Sequence, residues 1–99
     1  IDYISEHITE DLSLDTIASA LFVDKYYFAH VFKENTNTSP HRYILKKRLV
    51  LSKQFIEQGY PVTEVYIKCG FSDYTHFFRA FKNEYGITPK QFYASINLQ

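Results

Sequence analysis

Apolar residues recur along this chain at i, i+3, i+4 and i+7, the spacing that lines one face of a helix. Leu14, Ile17, Ala18 and Leu21 form one such stripe, and Val62, Val65, Tyr66 and Cys69 form another forty-eight positions later (14 to 62). A second pair of stripes shares Phe, Phe and Lys at the same places: Phe28-Ala29-His30-Val31-Phe32-Lys33 is echoed forty-nine positions on (28 to 77) by Phe77-Phe78-Arg79-Ala80-Phe81-Lys82. The chain therefore states one helix-turn-helix idea twice. Because the first offset is one shorter than the second, the extra residue falls in the turn, where Phe22-Val23-Asp24 becomes Gly70-Phe71-Ser72-Asp73.

Boundary residues complete the helix assignment. Ile1, Ile4, Ile8 and Leu12 predict a short first helix; Ser13 caps a second over about 14–21, and Asp24 a third over about 25–35. Asn35-Thr36-Asn37-Thr38 breaks the pattern, and Ser39-Pro40 starts a long helix to about Gln58, with Tyr43, Ile44, Leu49, Leu51, Phe55 and Ile56 inward. Gly59 and Pro61 end it. The second unit follows: Val62 to Cys69, Gly70 as its terminator, Ser72 or Asp73 as the next cap, and a helix to Tyr85 with Phe77, Ala80 and Phe81 buried. Thr88-Pro89 then repeats the cap-plus-proline start for a last helix carrying Phe92 and Tyr93. No segment alternates with period two for long enough to be a strand. The fold class is all-α, about seven helices, divided as a first helix-turn-helix subdomain 1–38, a linker helix 39–58 and a second subdomain 59–99.

Charge sharpens this picture. The total is balanced, but residues 1–24 hold six acids and no Lys or Arg, and residues 25–54 hold seven bases against Glu34 alone. Such opposed blocks make a polarised surface, and a basic face matters more to nucleic-acid binding than a basic total. No apolar run approaches the roughly 20 residues of a membrane span, and no leader pattern is present. The chain opens on Ile1 and reads as an excised part of something longer. Cys69 sits at an apolar helix position and reads as a buried hydrophobe. His7, His30, His41 and His76 lack metal-ligand spacing, so no metal is expected. No phosphate loop or nucleophile-base constellation suggests an enzyme.

Once the Phe stripes are buried, Lys25, Tyr26, Ala29, His30 and Lys33 share the outer side of one helix. Tyr74, Thr75, Phe78, Arg79 and Lys82 share that of the other. A helix fits the major groove, where Arg79 suits guanine, Thr75 either polarity, and Ala29 or Phe78 a thymine methyl. Phe78, next to core Phe77, is equally consistent with packing under a neighbouring helix. Lys33 and Lys82 suit phosphates. The linker helix, about 28 Å long for roughly 19 residues, compares with the ~34 Å between groove faces on one side of B-DNA. Its bases Arg42, Lys46, Lys47, Arg48 and Lys53 either border phosphates or pair internally. A helical protein-interaction module is the rival reading, since an aromatic helical surface also receives partner helices.

The particular residues say more. Leu14-x-x-Ile17-Ala18-x-x-Leu21, Tyr27-Phe28-x-x-x-Phe32-Lys33 and Ser39-Pro40-x-x-Tyr43-Ile44 resemble the first half of an AraC/XylS-type DNA-binding domain. Gly70-Phe71-Ser72-Asp73-x-x-x-Phe77-x-Arg79-x-Phe81-Lys82 followed by Gly86-x-Thr88-Pro89-x-x-Phe92 resembles its second half. The resemblance covers essentially the whole chain. It implies a cytoplasmic bacterial transcription regulator that needs no cofactor and reads double-stranded promoter DNA with its third and sixth helices. Tyr26, Ala29, His30, Tyr74, Thr75, Phe78 and Arg79 would face bases, and Lys25, Lys33, Ser39, Lys82 and Thr88 the backbone. It further implies RNA polymerase as a partner and dimerisation, if any, through an N-terminal domain absent here. Tyr66 departs from the family, which favours alanine where the two helices of a lobe cross; the lobe must open there or aim the ring outward. Ala29 and His30 replace longer polar side chains, so the second reading helix is expected to discriminate more.

Overall fold

The computed structural model describes residues 2–10 and 12–97, and Ile1, named above for the first helix, lies outside them. Among the described residues there are seven α-helices and no strand: α1 Asp2–Glu6, α2 Leu14–Ala20, α3 Lys25–Thr36, α4 Pro40–Glu57, α5 Val62–Lys68, α6 Tyr74–Tyr85 and α7 Pro89–Asn97. They fall into two units, Ile1–Lys47 and Arg48–Gln99, whose boundary lies within α4.

In the first unit α2 packs on α3, and Ile4, Leu12, Ile17, Phe32 and Ile44 form the core. The predicted first helix is shorter than its apolar spacing suggests. It stops at Glu6, the chain turns through residues 7–9, and Glu10 N donates to His7 O at 2.9 Å. Ile8 and Leu12 still reach the core, but from irregular backbone. A side chain needs only to point inward to satisfy the periodicity. Leu21 is a second difference: counted in the buried stripe, it is the C-cap of α2 and 41% exposed. Phe22 beyond it takes a left-handed conformation, φ 58°, and Val23 N donates to Ala18 O. The helix thus closes with a Schellman-type bond that directs the turn outward.

In the second unit α5, α6 and α7 pack pairwise. Val65, Cys69, Phe77 and Phe81 are wholly buried, Phe71 nearly so, with Phe77 and Phe81 5.7 Å apart edge to face. Burial pushes the Cys69 thiol up to about 12, as expected of an apolar site. Ser52, missed by the apolar pattern, is also buried in α4. Its hydroxyl donates to Leu49 O at 2.6 Å, which satisfies it inside the core.

Candidate nucleic-acid interface

The start of α3 is set by Asp24, whose carboxylate accepts from Tyr26 N at 3.0 Å and Tyr27 N at 3.1 Å. That cap satisfies two of the donors a helix N-terminus leaves orphaned. Phe28 and Phe32 then anchor the inner side, the latter edge-on to Tyr43 at 5.3 Å. The opposite side carries the residues expected to face DNA. Tyr26 is 72% exposed, and His30 and Lys33 are exposed. Ala29 is half-buried and opens onto a cleft of about 420 Å³, floored by Leu12, Ile17 and Ile44 and edged by Ser39 and His41. Two side chains on this helix are held by acids the sequence reading did not connect to them. Lys25 Nζ lies 3.1 Å from Asp15 Oδ1, whose hydrogen bond and charge raise the lysine's pKa, and it sits over the Tyr26 ring. His30 Nε2 lies 2.8 Å from Glu34 Oε1.

α6 begins in the same manner. Of the two candidate caps, Asp73 serves: its Oδ1 accepts from His76 N at 2.7 Å. Thr75, Arg79 and Lys82 are exposed along one side, and neither cation is ion-paired among the described residues. Tyr74 and Phe78 are half-buried and lie 6.2 Å apart, ring to ring. Tyr66, the family departure, is also half-buried, with its ring edge-on to Tyr74 at 5.6 Å and stacked on Phe77 at 6.4 Å. Burial raises the Tyr74 hydroxyl above its ordinary range. This aromatic cluster packs about the start of α6 and leaves Tyr74 and Phe78 part-exposed.

Ser39 and Thr88 hold equivalent places. Ser39 Oγ accepts from Arg42 N at 3.2 Å, and Thr88 Oγ1 from Gln91 N at 3.1 Å. Thr88 N in turn donates to Gln91 Oε1 at 2.9 Å, a capping box that starts α7. A hydroxyl that accepts in this way still has its own hydrogen to donate to a phosphate. Of the bases on α4, Lys53 is engaged internally, its ammonium 4.5 Å from the Tyr85 ring and 5.1 Å from that of Phe92. Lys47 lies over Tyr43. Neither competitor for these cations was legible from charge count alone.

A family model described as "Helix-turn-helix domain" matches residues 17–95. The chain is 36% identical over 92 residues to the probable transcriptional regulator LumQ of Photobacterium leiognathi, covering 92% of this chain and 37% of that protein. It thus spans little more than a third of that relative. A structure of a transcriptional regulator from Chromobacterium violaceum, described as AraC-type DNA-binding domain-containing, superposes with a TM-score of 0.83 at 30% identity over 96% of this chain and 86% of that one. The fold alone is shared with the DNA-binding domain of AdpA in complex with a target DNA: TM-score 0.91, 22% identity, 98% and 88% coverage. Two capped helix-turn-helix units, matched across most of their length, place this chain in the AraC-type family of helix-turn-helix DNA-binding domains.

Proposed function

We propose that this chain is the DNA-reading part of a bacterial transcription regulator, with α3 and α6 entering neighbouring major-groove segments of promoter duplex. The observation that carries this reading is the outer side of α6. Thr75, Arg79 and Lys82 stand exposed, neither cation ion-paired among the described residues, on a helix fixed from behind by fully buried Phe77 and Phe81. A rigid helix holding unpaired donors toward solvent is what base readout requires. Arg79 donates two hydrogen bonds to guanine, Thr75 serves a neighbouring base, and the edge of Phe78 meets a thymine methyl. Tyr26, Ala29 and His30 occupy the corresponding places on α3, with Tyr74 supporting the start of α6. Lys25, Lys33, Lys82, Ser39 and Thr88 hold phosphates, which position the protein without reading sequence.

In the full-length protein, further domains set the oligomeric state and the input signal, and the bound regulator acts on RNA polymerase in the cytoplasm. Among the described residues no helix is long and apolar enough to cross a membrane. The test is a salt titration of binding to duplex DNA by fluorescence anisotropy. The three phosphates neutralised by Lys25, Lys33 and Lys82 demand that log K fall against log salt with a slope of about −3. A flat profile, or no binding at low salt, would favour a protein-interaction module instead.

A further inference from the structure

The outer side of α3 holds one arrangement that groove reading by itself does not use. His30 Nε2 is 2.8 Å from Glu34 Oε1, one helical turn on, and the two side chains are 72% and 64% exposed. An ionised carboxylate only accepts, so the ring nitrogen facing it carries the hydrogen. A carboxylate oxygen that close favours the tautomer of the neutral ring with its hydrogen on Nε2, which leaves Nδ1 as a lone-pair acceptor. On the groove floor adenine and cytosine present amino donors, whereas guanine presents only its N7 and O6 acceptors. An acceptor on α3 therefore favours an amino base and rejects guanine. The equivalent residue of the second unit (30 to 79) is Arg79, all donor, with the opposite preference. Four residues beyond Arg79 stands neutral Asn83, where the first unit has Glu34 (34 to 83).

We infer that Glu34 is a positioning residue that determines the specificity of the first reading helix. By holding Nε2–H it makes His30 select adenine or cytosine, and by setting a negative charge beside the DNA backbone it lowers the affinity of that unit for duplex in general. This rests on the groove reading proposed above.

The test is selection of bound sites from random duplexes at pH 8, where histidine rings are mainly neutral. The unaltered chain is compared with Glu34→Ala, Glu34→Gln, His30→Ala and Arg79→Ala. The unaltered chain should select an amino base at one position of its site. His30→Ala should lose that preference, and Glu34→Ala should lose it or admit guanine at the same position. Affinity of Glu34→Ala for random duplex should rise about two- to fivefold, the scale of one exposed charge pair. Glu34→Gln keeps an acceptor oxygen without the charge, so it should retain the base preference while gaining affinity. Both residues are exposed, and thermal melts followed by circular dichroism will check that each variant folds. An unchanged base preference in Glu34→Ala, or in His30→Ala, overturns the inference while leaving groove reading intact. If the unaltered chain selects no site and Arg79→Ala changes nothing, groove reading falls and takes the inference with it.

Discussion

The two turns close their first helices with the same bond and then part company. Val23 N donates to Ala18 O in one, Phe71 N to Tyr66 O in the other, each following a residue in the left-handed region. That residue is Gly70 in the second unit and Phe22 in the first. Beyond it, Ser72 is the additional residue of the second turn, and it gives the chain room to fold Phe71 into the core before Asp73 caps α6. The first turn has no such slack. Val23 runs straight into Asp24, and Leu21, Phe22 and Val23 are left 41%, 94% and 39% exposed, against 0% for Cys69 and 5% for Phe71. The turn with one more residue thus buries Phe71, whereas Val23 at the matching place stays part-exposed.

The reading helices differ in a related way. α3 has Lys25 and His30 tied to Asp15 and Glu34, while Arg79 and Lys82 on α6 carry no ion pair among the described residues. Similar scaffolds therefore hold out unlike chemistry, one partly neutralised and one cationic.

Thiol reactivity should break the comparison most widely. Cys69 should react with a thiol reagent only as fast as its unit opens, whereas Leu21→Cys, at the equivalent position, should react at once. For opening free energies of several kcal/mol the rates differ by on the order of 10³. The same burial fixes a pH dependence. A thiol raised to about 12 stabilises the fold below its ordinary value near 9, and that contribution is lost as pH climbs from about 9 toward 12. Cys69→Ala should flatten that limb of the stability curve, as read by urea unfolding at pH 8 and pH 10.5.

Phe71→Ala should lower stability by about 3 to 5 kcal/mol, the usual range for emptying a buried aromatic site. Val23→Ala, at the matching place, should cost under about 1 kcal/mol. Equal losses would mean that the first turn is also packed.

Arg79→Ala should cost about 1 to 3 kcal/mol in binding and relax preference at one base pair. His30→Ala should cost less. Uniform loss on every sequence would place Arg79 on phosphate.

Phe22→Gly is the smallest and the only gain. It removes a side chain that contributes little burial from a left-handed conformation costing about 1 to 2 kcal/mol. Against glycine's greater freedom in the unfolded chain, the net should be a stabilisation of about 0.5 to 1 kcal/mol by thermal melting.

The helices, their caps and the outer sides of α3 and α6 were legible in the sequence because each depends on local chemistry. Periodicity fixes the buried side, and Asp24, Asp73, Ser39 and Thr88 need only the backbone beside them to act as caps. The duplication made both units readable from either copy. Packing decided the rest. The fate of Leu21 depended on where a turn sends its chain, and the internal use of Lys53 on which rings lay within reach. Lys25 found its acid on another helix, in Asp15. Glu34 could be placed one turn from His30 by counting, but only the side-chain rotamers brought the two together. Local rules act over one helical turn, whereas these partners are chosen by distances that exist only once the helices have packed.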